Sequence, residues 1–210
     1  NISAKAINNE IQKYEKEIEK NDSTYWLYFE LLWRDFFRFS SLKYGNSIFK
    51  LGGIKNKILE WRSNNKETLE LFEKWKNGQT GYPYIDANMI EMKKSGFMSN
   101  RGRQMVASFL VKDLKIDWRL GAEYFESLLI DYDVASNYGN WNYSAGIGAD
   151  PREDRYFNVY KQGYTYDRNC KFILKWIPEL NIYKNENIIN VKSLTNYQKP
   201  IVFIKKYNKN

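Results

Sequence analysis

Histidine is absent from the 210-residue sequence, and cysteine occurs once, as Cys170. Without an imidazole there is no Ser-His-Asp or Cys-His nucleophile pair, no HExxH zinc motif and no histidine general base. A lone thiol forms no internal disulfide and no zinc-ligand set, so Cys170 reads as a small apolar residue, buried or half-buried, and no metal site is expected. No apolar run reaches the roughly 18–20 residues of a membrane span, and no signal peptide is visible. No internal repeat and no Rossmann-type βαβ unit is evident. Any chemistry must therefore rest on carboxylates, Lys, Tyr or a bound cofactor.

Aromatic residues, by contrast, make up 17% of the chain and include 7 tryptophans. Side chains that bury such large areas exclude disorder for most of the sequence. The balance of 33 basic to 25 acidic residues gives a net charge of +8. That sign suits phosphate-bearing partners, although a Lys- and Asn-rich composition produces the same pI.

Only 4 prolines interrupt the chain, and helical periodicity fills the intervals. Ile7, Ile11, Tyr14 and Ile18 mark an amphipathic surface helix over residues 2 to 20, and Asp22 or Ser23 caps the next helix. From Tyr25 to about Ser40 that helix is apolar almost all round, which predicts burial. Its Glu30, Arg34 and Arg38 form a stripe along one face. The stripe faces a polar network or ligand, or is a solvated strip on a half-exposed helix. A short helix is expected from Trp61 to Trp75, another over residues 85 to 94, one at 100 to 114 capped by Ser99, and one at 119 to 130. Beyond Pro151 regularity falls, with weak strand patterning around Ile201 to Ile204. The fold class is all-α.

Three polar clusters break the apolar helices: Glu30 to Asp35, Met98 to Gln104, and Asp131 to Tyr143. Singly, Asp131 and Asp133 read as N-caps, and Asn137 and Asn140 as turn residues. Taken together, with no His, they fit a flat, hydrogen-bonding ligand better than hydrolysis. A glycosidase pairing Glu30 with Asp131 or Asp133 leaves the Arg and Asn residues unexplained.

The stretches Tyr25 to Phe39, Thr80 to Met89, Gly96 to Gln104 and Asp131 to Trp141 resemble, in order and spacing, successive motifs of the photolyase/cryptochrome flavin domain. Asp150 to Phe157 resembles the next block in its DASH cryptochrome version. The resemblance implies a helical FAD-binding domain over residues 1 to 180, incomplete at its N-terminus, and a C-terminal basic extension over 181 to 210. The family's N-terminal α/β antenna domain and the stretch that grips the FAD phosphates are expected to lie outside these 210 residues, which contain no match to either. The opening residue is Asn rather than Met, as in an excerpt or processed form.

By the same resemblance, Asp131 and Asp133 bond the flavin and its ribityl region, and Arg103 pairs with Asp131 and covers the ring. Asn137 sits beside flavin N5, and Arg34 helps hold the cofactor. Glu30, Trp33, Asn100, Gln104 and Tyr143 line a cavity for a flipped-out pyrimidine dimer. Trp141, Trp118 and Trp61 match a tryptophan chain that carries electrons to the flavin; the alternative for these residues, Trp61 above all, is ordinary aromatic core. Gln104 and Tyr143 stand where many duplex-repairing photolyases have Met and Trp, which favours the DASH branch. The absence of His disfavours (6-4) repair.

The implied activity is that of a photolyase-type lyase, using FAD and blue light to repair cyclobutane pyrimidine dimers in single-stranded or locally unpaired DNA. A non-repairing flavin photoreceptor, a nucleic-acid-binding signalling protein and an inactive fragment are the alternatives. A folate-type antenna chromophore is expected only in a longer protein. The protein is expected to be an intracellular monomer without membrane contact, in cytoplasm, nucleus or organelle.

Overall fold

A computed structural model describes residues 2–152, 155–191 and 194–204. Glu153 and Asp154, inside the Asp150 to Phe157 block, and the last six residues of the basic extension lie outside these. Among the described residues the chain is all helix, turn and loop, with no strand and no helix long and apolar enough to cross a membrane. It folds as two compact units, Asn1–Asn46 and Ser47–Asn210.

The first unit is a helical pair. Ser3 caps α1 (Ala4–Glu17) by accepting from the Ala6 N–H. Asn21 caps α2 (Asp22–Tyr44) in a capping box with Thr24, one residue before the expected caps. Thr24 Oγ1 also donates to Glu15 Oε1 at 2.6 Å, tying the two helices. Within this unit α2 is not buried as expected: Trp26 is 55% exposed, Leu32 65% and Phe39 69%. An apolar circumference predicts burial only if neighbours cover it, and α1 offers a single face.

The second unit is built around α4 (Pro83–Ser95), whose residues from Pro83 to Met89 are all buried. Pro83 at its first position supplies a preset φ and no wasted N–H. α3 (Lys66–Lys76), α5 (Asn100–Ser108), α8 (Val159–Tyr166), α9 (Lys171–Trp176) and α10 (Asn185–Ile189) pack against it. α6 (Trp118–Leu128) and α7 (Val134–Ala145) pair beside α5. Trp75, Met89, Met105, Phe109, Leu110 and Trp118 are completely buried in the core. Each such side chain contributes about 1.5–3 kcal/mol.

Several element ends differ from the sequence expectation for local reasons. Asn65 accepts from the Thr68 N–H and starts α3 there, so Trp61 lies in the preceding irregular segment. Ser99 does cap α5, but the helix widens into a π turn at Phe109–Asp113. Regularity resumes beyond Pro151 in α8 and α9. Residues 201 to 204 form no strand; they are pinned by side chains instead. Tyr82 OH donates to Val202 O at 2.7 Å and accepts from the Ile204 N–H at 3.1 Å. Cys170 is fully buried.

Asp113, in the π turn, accepts from Tyr156 OH at 2.9 Å, while its Oδ2 is buried without a partner. Burial pushes its carboxyl up to about 6, against the Tyr156 hydrogen bond. A raised folded pKa means that the native state binds more protons than the unfolded chain between about pH 4 and 6. Stability therefore falls as pH rises through that window. Asp113→Asn should stabilise the protein by about 1–2 kcal/mol at pH 7.5, allowing for residual solvent screening, and by much less at pH 4. Chemical denaturation at both pH values checks this, and a variant less stable than wild type at pH 7.5 refutes it.

Candidate functional site

The site is assembled where two interhelical turns meet. Gly96 ends α4 with φ 68°, and its carbonyl accepts from the Ile130 N–H at 3.0 Å. A Cβ on Gly96 would lie 2.7 Å from Ile130 Cγ2, so only glycine allows the approach. That contact brings Met98, at the entry to α5, beside Asp131, at the entry to α7.

Between them lies a cavity of about 280 Å³, lined by residues of α5, α6, α7 and the loop before α8. This is near the lower end of the ~300–1,000 Å³ typical of small-molecule sites. Phe125, Leu129, Trp141 and Ala107 form its apolar part. Arg103 crosses the polar part: its Nε donates to Met98 O at 2.8 Å, and its Nη2 to Asp131 Oδ1 and Oδ2 at 3.0 and 2.9 Å. Asp133 caps α7, accepting from the Ser136 N–H and hydroxyl at 2.9 Å each. The N-cap reading is thus realised at Asp133, although the same carboxylate also lines the cavity.

Asn137 Nδ2 donates to Ala122 O at 3.0 Å, which leaves its Oδ1 able to accept from a ligand. Asn100, Gln104 and Tyr143 complete the predicted set around the cavity. Arg155 lies over the Tyr143 ring at 5.0 Å and bridges to buried Asp150 at 2.6 Å. Burial alone would raise the Asp150 carboxyl, but bonds from Arg155, the Arg152 N–H and Tyr143 hold it below the usual Asp range.

The second unit thus gathers eight predicted residues in one cavity: Asn100, Arg103, Gln104, Asp131, Asp133, Asn137, Trp141 and Tyr143. Glu30, Trp33 and Arg34 lie on α2 of the first unit. There Trp33 packs on Phe36 and Phe37, and Arg34 pairs with Asp35 at 2.9 Å. Phe125, an apolar position of α6, and Leu129, its C-cap, line the cavity without having been singled out in the sequence, whereas Tyr132 stood within the Asp131 to Tyr143 cluster. Phe157 stood within the Asp150 to Phe157 block.

Of the three tryptophans, Trp141 lines the cavity and Trp118 is fully buried, its Nε1 donating to Leu51 O at 3.1 Å. Trp61 is half-buried, with an Nε1 that has no partner. Among the described residues the ring contacts of Trp141 are with Phe125 and Trp75, and that of Trp118 is with Tyr138. No group of three or more acidic, Cys or His residues that could hold a metal ion forms among the described residues.

Such a cavity, whose lining combines apolar side chains with a fixed guanidinium, a carboxylate and an amide oxygen, suits a flat heterocycle with hydrogen-bonding edges. Comparison with known proteins points the same way. Residues 26–210 match the family described as the FAD binding domain of DNA photolyase. The chain is 57% identical to a rice cryptochrome DASH, chloroplastic/mitochondrial, over 88% of its length and 31% of that protein's. It is 55% identical to the Danio rerio cryptochrome DASH, over 93% of this chain and 37% of the other. The chain thus spans about a third of the length of these curated relatives. Among solved structures, a Synechocystis cryptochrome superposes with a TM-score of 0.90 at 50% identity, covering 96% of this chain and 44% of that one. A class III photolyase from Agrobacterium tumefaciens gives 0.85 at 32% identity, over 96% and 44%.

Proposed function

Because this chain belongs to the family of FAD-binding domains of DNA photolyase, we propose that its cavity takes the isoalloxazine ring of FAD. We further propose that the protein repairs cyclobutane pyrimidine dimers in single-stranded DNA under blue light. The observation that carries this reading is the convergence of Arg103, Asp131, Asp133 and Asn137 beside the apolar face of Phe125, Leu129 and Trp141. Reduced FAD, when bound, supplies a photoexcitable electron that opens the dimer's cyclobutane ring and is then returned.

The chain's own residues do the positioning. Met98 O and Asp131 fix the Arg103 guanidinium, so it need not reorganise to meet a ring edge. Asn137 presents a neutral amide oxygen, held by its bond to Ala122 O. Phe125, Leu129 and Trp141 supply apolar lining against which a ring can pack. We assign Asn100, Gln104 and Tyr143 to contacts with the flipped-out bases; for Glu30, Trp33 and Arg34 of the first unit, the assignment to bases and cofactor rests on the family resemblance alone. Trp141, Trp118 and Trp61 are the proposed electron donors. The net charge of +8 suits a DNA strand, and binding should weaken as salt rises.

The test uses the flavin-loaded, reduced protein and oligonucleotides carrying one dimer. Under blue light, dimers should disappear from the single-stranded substrate and persist in the dark. Intact dimers after illumination overturn the repair reading. The name cryptochrome, carried by the rice, zebrafish and Synechocystis relatives, favours a second reading, a photoreceptor. Flavin that photoreduces while dimers stay intact is its signature.

A further inference from the structure

Three consecutive side chains in the loop before α8 are each tied to a different part of the cavity's frame. Arg155 bridges to Asp150 and lies over the Tyr143 ring. Tyr156 OH donates to Asp113 Oδ1, in the π turn that continues α5. Phe157 lines the cavity, with the Arg101 guanidinium 5.5 Å from its ring centre, and donates its N–H to the hydroxyl of buried Ser108 at 3.2 Å. Both carboxylate anchors are acidic, but they differ. Asp150 is bonded through both oxygens, whereas Asp113 Oδ2 is buried without a partner. The phenols of Tyr156, Tyr82 and Tyr160 surround Asp113. Lys112 precedes it in the π turn, yet burial and the Tyr156 hydrogen bond are what shift its carboxyl.

We propose that Asp113 is a positioning residue for the cavity wall: through Tyr156 it seats residues 155–157, holding Phe157 against the ligand when protonated and loosening it when ionised. The identity of that ligand rests on the cofactor reading above. Asp113 itself lies outside the cavity lining. Seating the segment covers Oδ2 and replaces its water with nothing, which penalises the charged form. Unseating the segment lets water reach both oxygens. Burial holds the seated carboxyl at about 6, against an ordinary 3.8, and the Tyr156 hydrogen bond opposes that rise without cancelling it.

Linkage fixes the direction. The seated state binds the proton more tightly than the unseated one, so it is favoured fully below about pH 4 and loses ground as pH rises through about 6. Between pH 5 and pH 7.5 the ratio of unseated to seated protein should rise about tenfold. Release of a ligand follows the same equilibrium, because a ring packed on Phe157 leaves faster once that side chain has moved aside. Arg155 supplies no competing titration, since its guanidinium is engaged with Asp150.

The experiment follows amide hydrogen exchange at Phe157 by NMR at pH 5 and pH 7.5, corrected for the intrinsic pH dependence of exchange. In parallel, gel-filtered chain loaded with FAD is diluted and the loss of its flavin is timed by fluorescence. The Phe157 N–H should open about tenfold more at pH 7.5, and flavin release should quicken by a similar factor. Amides in the core of α4 should exchange far more slowly, which marks the opening as local. Asp113→Asn keeps an oxygen for Tyr156 and carries no charge, so opening and release should stay at the pH 5 level throughout. Tyr156→Phe removes the tie and keeps the carboxylate, so opening should exceed that of wild type at both pH values. Chain that retains no flavin overturns the cofactor reading, and the retention claim with it. Retained flavin with a Phe157 opening that ignores pH, or with an Asp113→Asn variant as pH-dependent as wild type, overturns the role of Asp113 alone. Phe157 and α4 amides that exchange at one rate also overturn it, since the segment would then open only with the whole fold.

Discussion

Replacing Asp131 by alanine should weaken FAD retention about 100-fold, or roughly 2.7 kcal/mol, with little effect on the fold. Asp131 holds Arg103 through both carboxylate oxygens, yet the two side chains remain 52% and 27% exposed. An ion pair this accessible contributes about 0–1 kcal/mol to folding. A ring seated in the cavity changes its surroundings, because water is displaced and the charges interact in a lower dielectric. Arg103 would then be a cation covered by ligand with its counter-charge removed, the situation in which breaking a pair costs most. Fluorescence titration of FAD measures the first quantity, and thermal unfolding of the flavin-free chain the second. Undiminished affinity removes Asp131 from the cofactor site. Lost affinity with a melting temperature lowered by more than about 4 °C indicates a folding defect instead.

Asp86→Asn should have the opposite profile, a large loss of stability irrespective of any ligand. This carboxylate is fully buried at the first turns of α4 and accepts five hydrogen bonds. They come from the Thr80 N–H and hydroxyl at 2.7 Å each, the Gly81 N–H at 3.1 Å, Tyr197 OH at 2.7 Å and Gln198 Nε2 at 3.0 Å. Burial raises its pKa and the donors oppose the rise. An amide of the same shape offers one acceptor oxygen and turns an NH₂ toward groups that are themselves donors. Leaving buried donors facing a donor costs about 3–5 kcal/mol, near 10 °C in melting temperature. Tyr197 and Gln198 would be released together, so residues 197 to 204 should become sensitive to protease in the folded state. A variant that melts within 2 °C of wild type, with its tail still protected, contradicts this role.

Much of the helical layout was legible from local chemistry. Ser99 and Asp133 act as caps because a short polar side chain can reach back to a free N–H whatever the tertiary context. The apolar positions of α5 face inward as their spacing requires. The polar cluster at Met98 to Gln104 and that at Asp131 to Tyr143 converge on one cavity, as expected of groups too costly to bury without a shared purpose. α2 misled because composition reports what a helix can bury and not what covers it. Asn142 lay in a cluster read as ligand-facing. It is instead a buried tie, donating to Ile48 O at 2.9 Å and accepting from the Ile54 N–H at 3.2 Å. Nothing in its neighbourhood along the chain announces partners 94 and 88 residues away.

The sequence by itself determined the all-α class, the exclusion of histidine chemistry and disulfides, the family motifs and their order. These depend on residue types and on spacings within a few helical turns. Only the tertiary structure decided which aromatic ring meets which, whether a carboxylate binds a guanidinium or five neutral donors, and that Tyr138 has both an indole and a carboxylate beside it. Ring contacts of about 6 Å and hydrogen bonds near 3 Å are set by the packing of elements distant in sequence. A pattern read along one helix carries no record of that packing.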